Sequence, residues 1–149
     1  MRKLLALSAV PLLCGLSVLA QQPAPNFHPG AWEISSVTTM ATGRTVASLT
    51  DVCAKGQADF WKRKQAGLLC NAPKITPAQG GIRVRVVCHY DEDLLTSRIE
   101  SDVIEKFSHD GDSFTATGTN KTNTVYAGHA PEVTSVHVEA EAHRTGPCK

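Results

Sequence analysis

Between Gly81 and Tyr90 the chain reads Ile82-Arg83-Val84-Arg85-Val86-Val87-Cys88-His89. In an extended chain Ile82, Val84, Val86 and Cys88 fall on one side, and Arg83, Arg85, Val87 and His89 on the other. A period of two built from β-branched residues marks a strand with one buried face. Cys88 is in phase with the apolar set, so its sulfur is expected in the core. Cys53 and Cys70 lie upstream and Cys148 far downstream. The expectation is a sheet pinned by sulfurs, with this strand near its middle.

Cysteines matter most in an exported chain, and the N-terminus points to export. Arg2 and Lys3 precede an apolar run from Leu4 to Leu19, and Val18-Leu19-Ala20 supplies a cleavage-like ending. This is the layout of a secretory signal peptide, too short for a typical membrane span. Cleavage is expected after Ala20. A lipoprotein signal at Cys14 is the rival, weakened because Leu13, not a small residue, precedes it. Removing 20 of 149 residues leaves 129, enough for one domain with its own core. The signal takes two of the 15 basic residues and none of the 14 acidic ones, leaving 13 against 14. A near-neutral chain argues against nucleic acid as a partner. Residues 1–20 are thus read as signal, 21–26 as a loose polar leader, and 27–149 as a single β domain. Localisation is expected to be periplasmic or secreted, with no transmembrane segment after cleavage.

Cys53, Cys70, Cys88 and Cys148 remain after cleavage, and an even number in an exported chain suggests two disulfides. No C-x-x-C pair occurs, which disfavours zinc-ribbon and thioredoxin chemistry. Three pairings are open. Cys53–Cys70 with Cys88–Cys148 is favoured, the first closing a local loop and the second tying the C-terminal segment to the central strand. Each bond is worth roughly 3 to 4 kcal/mol on the chain-entropy account.

The same alternation recurs along the chain. Trp32 to Met40 and Arg44 to Val52 read as a hairpin across Ala41-Thr42-Gly43. Residues 54–67 lack β-branched side chains and are expected to form a short helix, with Phe60 and Trp61 on its packing face. Lys62-Arg63-Lys64 reads as its solvated end. Asn71 to Thr76 is a short strand stopped by Pro77. Tyr90-Asp91-Glu92-Asp93 is an acidic bend without the D-x-D-x-D-G calcium pattern. Leu94 to His109 and Ser113 to Tyr126 read as strands joined at Asp110-Gly111-Asp112-Ser113, the clearest hairpin turn. Glu132 to His143 is the last strand. The fold class is all-β: an antiparallel curled sheet or incomplete barrel of about seven strands with one short helix, or, as the alternative, a β-sandwich.

His28-Pro29-Gly30-Ala31-Trp32-Glu33, the cysteines Cys53, Cys70 and Cys88, Gly111-Asp112-Ser113-Phe114-Thr115 and the closing Gly146-Pro147-Cys148 together resemble a family. It is the set of bacterial exported proteins grouped as domain of unknown function family 3617. The resemblance runs from Phe27 to Lys149. It departs after Cys53, where Ala54-Lys55-Gly56-Gln57 replaces the Leu-Thr-Pro-Glu-like helix start of the family. It implies a periplasmic or secreted Gram-negative protein and supplies no catalytic residues.

The residues themselves carry no recognised catalytic motif. G-x-S-x-G, the P-loop, G-x-G-x-x-G and H-E-x-x-H are all missing from the sequence. The best chemical constellation is His137, Glu139, Glu141 and His143, which share a face of the last strand. Neighbours on that face stand about 7 Å apart, so a metal site there needs help from another strand. A polar, solvent-facing row is the plainer reading, with His89, Arg83 and Arg85 pairing to these glutamates. Trp32 is read as a core residue at one end of the sheet. With Phe60 and Trp61 it is also a candidate to line an apolar, ligand-facing concavity. No cofactor is expected. The leading function is a monomeric, non-catalytic domain binding a small molecule or an envelope protein, and the alternative is a small metal-dependent hydrolase using the last strand.

Overall fold

The computed structural model describes residues 26–61 and 67–149. The expected signal peptide, most of the leader and the Lys62-Arg63-Lys64 run lie outside the described residues. Eight strands follow in chain order: β1 (Gly30–Met40), β2 (Thr45–Ala54), β3 (Leu68–Cys70), β4 (Lys74–Ala78), β5 (Gly81–Glu92), β6 (Leu95–Phe107), β7 (Ser113–Tyr126) and β8 (Glu132–Gly146). All pairings are antiparallel, in the order β2-β1-β8-β7-β6-β5-β3, with β4 also on the outer side of β5. The result is one curled sheet seven positions wide, a half-barrel, and not a sandwich.

Several expectations need correction. The Ile82–His89 stretch lies in β5, beside one edge and covered there by β3 and β4, while β7 occupies the middle. The apolar face of β5 is real, with Ile82, Val84, Val86 and Cys88 all buried. Burial of one face does not reveal how many strands lie to either side. The expected helix is a 3-10 turn over Gln57–Trp61 within the described residues. There the Asp59 carboxylate accepts the N–H groups of Lys55 and Gly56 at 2.8 and 2.9 Å, and the Asp59 N–H donates to the Gly56 carbonyl at 3.0 Å. Such i to i+3 closure is the tighter winding. Pro77, expected to stop a strand, sits within β4 instead, an edge position that tolerates its missing donor.

The disulfides are Cys53–Cys148 and Cys70–Cys88, so the favoured pairing is wrong. The register explains why. Ala31 of β1 pairs with Cys53 on one side and Gly146 on the other, which brings Cys148 alongside β2. Cys70 is the direct cross-strand partner of Cys88. Cys53 and Cys70, close in sequence, sit on strands at opposite edges of the sheet. The last strand accordingly lies between β1 and β7 and not beside β5.

One face of the sheet, here the inner face, holds the core. Leu68, Ile82, Val84, Val86 and Cys88 form one cluster, and Trp32, Ala54, Phe114 and Ala142 another. Phe107 packs against both. Gly118, in mid-β7, lets β6 come close: a Cβ there would stand 2.2 Å from the Asp102 carbonyl oxygen and 2.6 Å from the Val103 Cα.

Candidate functional site: the outer face and the free edge

The aromatic end of the half-barrel is filled. Trp32 is 1 % exposed, and its indole N–H donates to the His28 carbonyl at 3.2 Å. Phe27 stacks on it at 5.6 Å between ring centres, and Phe60 meets it edge-on at 5.4 Å. Trp32 thus sits in the core, as read from the sequence. The segment from Ala54 to Leu68 links the two edges of the sheet, and its aromatic pair divides between the clusters. Phe60 packs with Trp32 and Phe114, and Trp61 packs with the β5 cluster. Of the three aromatics expected to line a concavity, Trp32 is buried while Phe60 and Trp61 are partly buried.

A buried carboxylate lies beneath that segment. Glu105 of β6 is 1 % exposed, in phase with Val103 and Phe107 on the inner face. It accepts hydrogen bonds from Trp61 Nε1 at 2.8 Å and Gln57 Nε2 at 3.3 Å. Burial pushes its pKa up to about 7, while those two hydrogen bonds pull it the other way. Glu105 carries a sequence signal of its own, its phase with Val103 and Phe107 on one strand face.

His137, Glu139, Glu141 and His143 are all exposed on the outer face of β8. Their neighbours across the sheet are Thr39, Val37, Ser35 and Glu33 of β1 and Thr119, Thr117, Thr115 and Ser113 of β7. Within the row, His137 Nε2 lies 3.5 Å from Glu139 Oε1. No group of three or more metal-ligating side chains converges among the described residues, at this row or at the acidic bend. Arg83 and Arg85 do not reach these glutamates, because two strands intervene. They hold Asp102 of neighbouring β6 instead, at 2.6 Å from Arg83 Nε and 3.0 Å from Arg85 Nε. The Arg83 hydrogen bond leads in holding the Asp102 carboxyl below its ordinary range. His89 pairs across the ladder with Arg98 and Leu69.

The short motifs singled out in the sequence meet at one corner. His28 Nδ1 lies 3.0 Å from Asp112 Oδ1, and the Arg144 backbone N–H donates to the Asp112 carbonyl at 2.9 Å. Arg144 Nε donates to the Pro29 carbonyl at 3.0 Å. Gly111, at φ +76°, has no room for a side chain beside the Asn26 carbonyl. The corner fastens the start of β1 to the β6–β7 turn and the end of β8.

Two of the hollows on the surface of the described residues bear on binding. One, of about 430 Å³, lies on the outer face of β1, β8 and β7, walled by Ser35, Val37, Thr115, Thr117, Glu139 and Glu141. The other, of about 420 Å³, lies at the β5–β6 tip around Asp91–Thr96 with Val125 and Ala127. Beside the first hollow runs β2, exposed from Thr45 to Asp51 on both faces. Among the described residues no helix is long and apolar enough to cross a membrane. Comparison with family models, with curated proteins and with solved structures gives no match.

Proposed function

We propose that this chain is an exported, non-catalytic binding domain, periplasmic or secreted, that takes a small molecule or an envelope protein on the outer face of its sheet. The observation that carries the reading is the outer hollow of about 430 Å³, where hydroxyls of Ser35, Thr115 and Thr117 and carboxylates of Glu139 and Glu141 surround Val37. Such a lining suits a polar or cationic group. The packed aromatic end leaves the outer surface as the recognition surface, and two disulfides fit an oxidising compartment. Membership of the exported family of unknown function 3617 belongs to the same proposal, supported by the order of the short motifs.

Native mass spectrometry of protein purified from the periplasm or medium tests it. A bound molecule or partner is expected, and Thr115→Tyr with Glu141→Lys should remove it without lowering the melting temperature. Protein that arrives empty and alone would count against the reading. Intact mass on the same sample should show the loss of residues 1–20.

A further inference from the structure

The two edges of the sheet are unlike. At one, β3 has three residues, and β4 carries Lys74 and Pro77. Short strands, lysine and proline are the devices that keep edges from pairing with other chains. At the other, β2 runs ten residues, Thr45 to Ala54, with no lysine and no proline and Asp51 as its one charge. Leu49 is 65 % exposed and Val46 44 %.

Which backbone groups of β2 are free follows from the hairpin. Met40 N–H donates to the Arg44 carbonyl at 2.9 Å, so residue 44 directs its pairing groups toward β1. Antiparallel pairing alternates, and β1 and β2 pair without a register shift. Val46, Ser48 and Thr50 therefore also pair inward. Thr45, Ala47, Leu49 and Asp51 aim their N–H and C=O groups away from the sheet.

We propose that β2 is the seam through which two copies of this chain join, antiparallel and edge to edge, into one continuous sheet across a two-fold axis. The reading is independent of what the outer hollow binds, and it replaces the monomer expected from the sequence. A two-fold axis perpendicular to the sheet makes each residue meet one on the same face. The register that engages all four outward residues passes the axis through Ser48. Thr45 then faces Asp51 of the second copy, and Ala47 faces Leu49. The two aspartates stay apart, and about eight backbone hydrogen bonds form. Ala47 is already the cross-strand partner of Val37. An apolar row, Val37, Ala47 and Leu49 of the second copy, therefore crosses the seam, and symmetry repeats it. The guarded β3–β4 edge stops further copies from adding, so the assembly closes at two and does not grow into a filament.

Sedimentation velocity on the full exported protein, across a dilution series, is the test. A monomer–dimer equilibrium is expected. Leu49→Lys places two cations in the seam and should abolish the dimer while leaving the melting temperature of the monomer unchanged. Ser48→Cys puts two thiols face to face on the axis and should give a covalent dimer on a non-reducing gel, whereas Val133→Cys, exposed elsewhere, should not. A monomer at every concentration overturns the proposal. So does a dimer indifferent to Leu49→Lys and not captured by Ser48→Cys, or an open ladder of oligomers.

Discussion

Trp61 donates its indole N–H to the Glu105 carboxylate at 2.8 Å, joining the segment that links the two sheet edges to the buried face of β6. With Gln57 also donating, a group that burial would otherwise expel is held beneath this segment.

A stability change with pH follows. In the unfolded chain Glu105 titrates near 4.5, and in the folded chain near 7. Below the lower value both states hold the proton, and the fold is at its most stable with respect to this group. Between the two, the unfolded state loses its proton first, so stability falls as pH rises. Above about 7 the loss is complete, roughly 3 kcal/mol at about 1.4 kcal/mol per unit. Glu105→Gln should flatten that decline. Denaturant midpoints from pH 4.5 to 8.5, compared between wild type and variant so that exposed histidines cancel, would show it; parallel curves would refute it.

The disulfides should rank by loop length. Cys53–Cys148 spans 95 positions and Cys70–Cys88 spans 18. On the chain-entropy account, the longer is worth about 4 to 5 kcal/mol and the shorter about 3. Cys148→Ser is therefore expected to lower the melting temperature more than Cys70→Ser does, apart from what the buried Cys88 thiol adds. Thermal melts give the order, and non-reducing peptide maps give the pairing.

Gly118→Ala should destabilise by about 1 to 3 kcal/mol, because the added carbon meets backbone of β6 that must shift. Gly56→Ala meets nothing within 4 Å and has no positive φ. It should be neutral or slightly stabilising, by up to about 1 kcal/mol. Equal costs in chemical denaturation would contradict the close approach of β6 and β7.

Strand periodicity was legible residue by residue. Ile82, Val84, Val86 and Cys88 are inward, as their phase requires, and His137, Glu139, Glu141 and His143 are outward. The Asp110-Gly111-Asp112 turn was equally plain. Strand order was not, because alternation describes a strand's two faces and says nothing about which strands flank it. That is why alternation alone puts β5 too near the centre, and why nearness in sequence alone pairs Cys53 with Cys70. Residues 54–67 read as helix from composition, but the Asp59 carboxylate binding Lys55 and Gly56 favours a tighter winding. Trp32 reads as a core residue at one end of the sheet, and it is core. The free edge at β2 had no sequence signal of its own until its neighbours were known.

The bond between Cys53 and Cys148 makes a covalent ring of most of the domain, with the Cys70–Cys88 bond nested inside it. A protease that severs one peptide link anywhere within that ring, at the exposed β7–β8 loop for instance, releases no fragment. The product is a nicked molecule that keeps every residue, its new ends held beside each other by the ladders on either side. Damage that would halve an unbridged chain becomes here a change of connectivity, visible in mass only as one added water and on a gel only after reduction.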